Sequence, residues 1–368
     1  MTAPDPVIPL GAVRRPSAVF RHFGPNWYAC VMGTAIVANG AYALGPGLPG
    51  LRAGAVVIWA LSAVLLAAVT GARAVHLTRH HGEARRRLLD DPATAVFYGC
   101  PPMAFLAVSY GTLTLGPDVL GASAAVRVAA ALWATGAVYS LAVVFAVPYL
   151  LITRHAARVS AAPPTWLLPV VAPVVAAALG PPLIPHLRSA HLREALLFAC
   201  QGMFGVGLLA TLALLPVVIA SAARLPRPLT PSLFLVLGPL GQSTTALAQL
   251  AEGAVHAAPR YAAAMEILAV LYGIPVLGFA LLWLLIAGTA NVRALRDGMP
   301  FTMTWWAFTF PVGTCVTGAA GLARHTGHAA LTALAAALYL LLLAAWTTVA
   351  LRTVRGVWTG RLFEAPAR

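Results

Sequence analysis

Two short runs concentrate the side chains able to meet a solute. Gly241-Gln242-Ser243-Thr244-Thr245 sets four consecutive polar side chains inside an apolar stretch. Around a helix they cannot all face lipid, so several must meet water or a partner helix. Thr304-Trp305-Trp306-Ala307-Phe308-Thr309-Phe310-Pro311-Val312-Gly313-Thr314 adds a dense aromatic cluster ending on a proline break. Trp305 and Trp306 suit an interfacial belt. Phe308 and Phe310 stand about 200° apart around a helix, so at most one can face a central axis. An apolar ring at the narrowest point of a pathway can block it sterically or by dewetting; on the residues alone, a packed aromatic is the plainer reading. Gly33-Thr34, Ser109 with Gly111-Thr112, and Gly313-Thr314 with Thr317 repeat the small and hydroxylic theme. Such residues either let helices approach closely or line a hydrated path with weak dipoles.

Charged chemistry is sparse. Acidic residues number ten; Glu194, Glu252 and Glu266 fall near span ends, and no Asp, Glu, His or Arg is placed at mid-span. A proton relay or a buried cation site normally needs such groups. Neither His-Glu-x-x-His nor Gly-x-Ser-x-Gly occurs, and Asp90-Asp91 is followed by Pro92 without a second acidic cluster. No catalytic residue, metal ligand set or cofactor is therefore expected, and an intramembrane enzyme is the remote alternative. Cys30, Cys100, Cys200 and Cys315 are far apart and read as apolar packers. A neutral path under a positive field favours anions over cations. Arg73, Arg293 and Arg352 could lend that field from span ends, although snorkelling anchors are the default.

The elements that must position these residues are membrane helices. Hydrophobic residues make up 60 % of the 368 and charged residues 9 %, which excludes a soluble domain. The net charge of +14 comes from 24 arginines without a lysine, scattered in short turns, which speaks for membrane topology and against nucleic acid as a partner. At intervals of roughly 70 residues, starting near Pro25, Phe97, Thr165, Pro231 and Thr302, a proline- or glycine-marked apolar segment precedes a smoother one and an arginine-bearing turn. The predicted spans are 25–44, 53–74, 97–116, 124–150, 165–184, 194–220, 231–252, 261–288, 302–321 and 328–351, each about 20 residues or more and long enough to cross a bilayer. Without a strand-like alternation they are helices: an all-α integral membrane protein of ten helices in five tandem hairpins. The odd spans carry Pro25, Pro101-Pro102, Pro169 with Pro173, Gly238-Pro239 and Pro311. Proline frees a carbonyl and is tolerated where the break faces protein or water, so the odd spans are expected to form an inner ring. Pro148, Pro216 and Pro275 in the even spans weaken the contrast. Arginines divide 18 to 6 between the two sets of turns, which places both termini in the cytoplasm of a cell-membrane protein. A cytoplasmic segment 1–24, a transport domain 25–351 and a cytoplasmic tail 352–368 complete the organisation.

Four motifs in order carry a resemblance: Phe23-Gly24-Pro25-Asn26-Trp27-Tyr28 with Val31-Met32-Gly33-Thr34, Pro101-Pro102-Met103, Leu237-Gly238-Pro239-Leu240-Gly241-Gln242-Ser243, and Trp305-Trp306 through Phe310-Pro311. At these residues the chain resembles the tellurite-resistance/dicarboxylate transporter family, which includes malic acid transport proteins, sulfite efflux pumps and plant slow-type anion channels. The resemblance implies odd helices lining a central pore, a homotrimer with one pore per subunit, and small anions as the transported partners, C4-dicarboxylates of the malate type or oxyanions such as sulfite or tellurite. It also implies a pore-occluding phenylalanine, which maps onto Phe310 with Phe308 as the fallback. Gly33, Thr34, Pro102, Ser109, Pro173, Pro239, Gln242, Ser243, Pro311 and Thr314 are the expected pore lining. A proton-coupled dicarboxylate carrier is the alternative to a channel.

Overall fold

The computed structural model describes residues 23–45, 50–154 and 162–363. Every regular element among them is helical, and they group into ten consecutive units. The first spans 25–43. The others are Leu51–Arg79, Pro92–Thr114, Ala122–Thr153, Pro164–His186, Ala190–Ala222, Arg227–Ala257, Pro259–Arg296, Met303–Thr326 and Ala329–Trp358; these nine are long and apolar enough to cross a membrane. The first unit falls outside that set.

Burial separates odd from even. In the third, fifth, seventh and ninth units 72 to 94 % of the most apolar stretch is buried, against 22 to 33 % in the even units. The first unit is buried almost throughout, from Tyr28 to Ala41. Each odd unit touches the next in the order first, third, fifth, seventh, ninth, and the ninth returns to the first, closing a ring. The even units pack outside it and present Val64, Phe145, Leu209, Leu271 and Leu340 outward, apolar surface that only lipid or another protein can cover.

Local sequence explains the division. Every odd unit has a 3-10 segment directly before its long α-helix: Pro25–Trp27, Val96–Gly99, Pro164–Trp166, Arg227–Val236 and Met303–Phe308. Prolines at or near these entries lack an N–H that the first turn would leave unpaired in any case. The even units carry Pro148, Pro216 and Pro275 inside continuous helices.

Glycines let the inner ring close. A Cβ on Gly241 would lie 2.5 Å from the backbone nitrogen of Cys315, and one on Gly33 would lie 2.3 Å from the Thr309 hydroxyl and 2.6 Å from the Trp306 ring. The seventh and first units therefore both meet the ninth at close range.

Three details depart from the sequence reading. The turn containing Arg85-Arg86-Arg87 is a helix, His81–Asp90, in which Glu83 pairs with Arg86 at 2.9 Å and Arg87 at 2.8 Å. Asp91 caps the next element, accepting from Ala93 N at 3.0 Å and from the Thr94 hydroxyl at 2.6 Å. Trp305 and Trp306 do not form an interfacial belt: both are buried, because the ninth unit has no lipid face. Trp306 Nε1 donates to the Thr353 hydroxyl at 3.1 Å, and Trp305 Nε1 donates to the Pro300 carbonyl beneath the Arg352 guanidinium. The last helix runs to Trp358, past the expected limit of 351. The terminal segments 1–24 and 352–368 lie largely or partly outside the described residues.

Candidate functional site

Along the axis of the inner ring lie three cavities. A vestibule of about 580 Å³ opens at the C-terminal ends of the odd units, bordered by Tyr42, Arg52, Pro182, Glu252, His256 and Arg324. It shares Ala43, Tyr110, Gln249 and Arg324 with a narrow chamber of about 20 Å³. Beyond that chamber stands Phe310, and on its far side is a second chamber of about 10 Å³. Phe310 borders both chambers.

All five inner units wall each chamber. The near chamber takes Asn39, Tyr110, Leu179, Gln242 and Thr317, and the far chamber takes Met32, Met103, Leu168, Leu235 and Pro311. The near wall is mixed polar and the far wall apolar. Phe310 separates them, 3 % exposed, at the first position of the α-helix that follows the Met303–Phe308 3-10 segment. The backbone break therefore sets the ring where the two chambers meet. Phe308 is committed elsewhere, edge-on to Phe234 at 4.9 Å and to Trp305 at 5.7 Å between ring centres.

Polar groups on the near side follow helical spacing. On the seventh unit Gln242, Thr245, Gln249, Glu252 and His256 advance by alternating three and four residues, a single face. On the ninth unit Phe310, Thr317 and Arg324 advance by seven. The Thr245 hydroxyl lies 2.8 Å from that of Thr317 and also reaches the Thr314 carbonyl at 3.2 Å. Arg324 donates from Nε to Glu252 Oε1 at 3.0 Å, and its Nη2 is 3.0 Å from the same oxygen.

Residues 22–354 match the family described as voltage-dependent anion channel. The chain belongs to that family. It is similar to the sulfite efflux pump of Arthroderma otae, with 30 % identity over 93 % of each chain, and to that of Trichophyton rubrum, with 28 % identity over the same shares. An uncharacterized transporter of Methanocaldococcus jannaschii is 25 % identical over 94 % of this chain and 96 % of its own. As a member of the voltage-dependent anion channel family the chain is a multi-pass membrane protein of anion transport, in keeping with the resemblance read from its motifs.

Within this member of the family the expected lining residues fall into two groups. Gln242 borders the near chamber and Pro311 the far one. The other eight do not border the three cavities and make helix contacts. The Thr34 hydroxyl accepts from Trp346 Nε1 at 3.1 Å, Ser109 donates to the Ala129 carbonyl at 2.7 Å, and Ser243 accepts from the Tyr272 hydroxyl at 2.9 Å, each bond reaching an outer unit. Thr314 donates to the Pro311 carbonyl at 2.6 Å. Gly33 receives the ninth unit, the Pro102 carbonyl faces Gly136 of the fourth unit, and Pro173 and Pro239 are buried within their helices. In membrane helices a hydroxyl more readily satisfies a neighbouring carbonyl than an open path.

Asn39, Tyr110, Gln249 and Arg324 border the near chamber without having been expected there. The signal that could have revealed two of them is the spacing itself: Gln249 lies seven residues after Gln242, and Arg324 seven after Thr317. The four cysteines are free and buried, two of them against inner-ring carbonyls: Cys30 Sγ contacts the Trp27 carbonyl at 2.9 Å and Cys315 Sγ the Leu237 carbonyl at 4.0 Å. Arg73 is no snorkelling anchor: it is buried, donating to the Phe23 carbonyl at 2.9 Å and the Tyr98 hydroxyl at 2.6 Å.

Proposed function

We propose that this chain conducts small oxyanions, sulfite before malate, along the axis of its inner ring, and that Phe310 is the side chain that closes the path. The observation that carries this reading is the position of one apolar ring between two chambers, each walled by all five inner units. Chambers of about 20 and 10 Å³ hold one or two waters each. A compact oxyanion needs a modest widening there, whereas a four-carbon dicarboxylate needs a much larger one. Two relatives named as sulfite efflux pumps point the same way.

The finer features belong to the same proposal. The first unit is the tenth span, both termini are cytoplasmic in a cell membrane by the 18-to-6 arginine division, and the vestibule then faces outward. The absence of carboxylates from both chamber walls supports flow down the electrochemical gradient over proton coupling. A homotrimer follows from the resemblance and would cover part of the apolar outer face.

Purified protein in liposomes, with sulfite, malate and chloride gradients and a separate pH gradient, provides the test. Phe310→Ala is expected to raise sulfite current about tenfold or more, since the ring is the only bulk between the chambers on this reading. Unchanged flux in a monodisperse variant removes the gate. Electroneutral malate uptake that follows the pH gradient makes the protein a proton-coupled carrier instead.

A further inference from the structure

The near chamber contains donors that no described residue satisfies. Gln242 is 2 % exposed and Gln249 7 %, and both border the chamber. Among the described residues neither side-chain amide has a hydrogen-bond partner, in contrast to neighbouring Thr245, whose hydroxyl is engaged by Gly241, Thr314 and Thr317. Their amide atoms are not sealed off from the cavity, so two unpartnered amides on one helical face are available to what enters the chamber. Both lie on the face of the seventh unit that runs on to Glu252, and Arg324 stands at the chamber's mouth, bordering chamber and vestibule alike.

The Arg324 guanidinium carries five N–H donors in a planar fork. Its contacts with Glu252 both fall on a single oxygen, Oε1, at 3.0 Å. The two side chains are 43 and 38 % exposed, and an ion pair this hydrated contributes little net stability. An entering anion can therefore compete with Glu252 for Arg324 without a large penalty. Amide N–H groups and a guanidinium together form a donor set suited to an oxyanion.

We propose that the side-chain amides of Gln242 and Gln249 and the guanidinium of Arg324 form the recognition site for the transported oxyanion, and that Glu252 is the internal carboxylate the anion displaces from Arg324. The proposal rests on the conduction reading above but places selection outside Phe310, on the vestibule side. Glu252 then sets the affinity: it keeps Arg324 occupied, so the anion binds weakly enough to leave.

Sulfite binding at neutral pH is measured by calorimetry on the full chain in nanodiscs, alongside the half-saturating concentration for sulfite flux in liposomes. Glu252→Gln, nearly isosteric, is expected to tighten both by about threefold to fivefold by freeing the guanidinium. A folding defect cannot mimic that gain. Arg324→Gln and Gln249→Leu are each expected to weaken both by about tenfold or more. Phe310→Ala is expected to leave binding unchanged while flux rises. Wild-type binding retained in Arg324→Gln, or Glu252→Gln binding no tighter than wild type, overturns the site, as does the lack of sulfite binding to both wild type and Glu252→Gln at about 10 mM, the weak end of specific recognition. If the binding pattern holds while Phe310→Ala leaves flux unchanged, the gate fails and the recognition site stands.

Discussion

Replacing Gly241 and Gly238 by alanine, one variant at a time, separates packing from pathway on one helix. A Cβ at Gly241 would lie 2.5 Å from Cys315 N, 2.5 Å from the Thr314 hydroxyl and 2.6 Å from the Thr314 carbonyl carbon, while one at Gly238 meets nothing within 4 Å and projects beside the far chamber. Ordinary contact begins near 3.4 Å, so Gly241→Ala must move the ninth unit by about 0.9 Å. Carried along the interface, that shift takes the Thr245–Thr317 pair from 2.8 Å beyond hydrogen-bond range. Overpacking costs about 1–3 kcal/mol and the lost interhelical bonds about 0.6 kcal/mol each. The helix-propensity gain of glycine to alanine, about 1 kcal/mol, is common to both variants and cancels between them. Gly241→Ala should therefore be less stable than Gly238→Ala by about 2–4 kcal/mol in detergent-titrated unfolding. Gly238→Ala should keep wild-type stability or gain, yet reduce sulfite flux several-fold in a Phe310→Ala background, where its methyl narrows the open path. Equal stabilities for the two variants would refute the close contact of the seventh and ninth units. Undiminished flux in the Gly238→Ala, Phe310→Ala double variant would refute the placement of the path through the far chamber.

Other consequences can be checked with single substitutions. Trp346→Phe removes the bond from Nε1 to Thr34, which ties the tenth unit to the first, and should lower stability in the same unfolding assay by about 0.6–1.7 kcal/mol. Arg73→Met leaves the Phe23 carbonyl and Tyr98 hydroxyl without their donor in a buried site, and should cost about 2–4 kcal/mol, read as a lower unfolding midpoint. The Arg87 and Arg86 guanidiniums hold the Glu83 carboxyl down to about 2, so the pairing in His81–Asp90 is present above the ordinary carboxylate range and is lost only as pH falls toward about 2. Arg87→Gln should raise that carboxyl's titration midpoint, followed by carbon NMR of the Glu83 side chain. An unchanged midpoint would show that Arg87 does not hold it.

What the sequence disclosed about the fold came from features that recur. Proline marks the 3-10 entries of the first, fifth and seventh units, and the smoother apolar composition of the even spans marks the lipid-facing shell. The ends were less visible, because Arg324, His325 and Thr326 look like turn residues when hydropathy alone decides where a helix stops. The ninth unit nevertheless continues to Thr326, since its last turn is held to the seventh unit, with Arg324 on Glu252 and the His325 ring at the Ala248 carbonyl. That extension of about one and a half turns carries a charge from an apparent loop to the mouth of the chamber.

The site was partly legible for a related reason. Single hydroxyls such as Ser109 and Thr34 give no hint of direction, because a membrane helix offers each a carbonyl or indole within reach. Amides are harder to satisfy, having two donors and an acceptor to place. Gln242 and Gln249 on one face, with Glu252 and His256 continuing it, therefore carry directional information that the hydroxyls lack. Asn39 illustrates the limit: its amide nitrogen is taken by the Ala107 carbonyl at 3.0 Å, while its buried oxygen has no partner among the described residues. Under the proposed conduction path the polar near wall offers an anion hydrogen-bonding partners, and the apolar far wall, from Met32 round to Leu235, offers the fewest. The proposed gate and recognition site together place the main barrier at and beyond Phe310 and selection among anions before it.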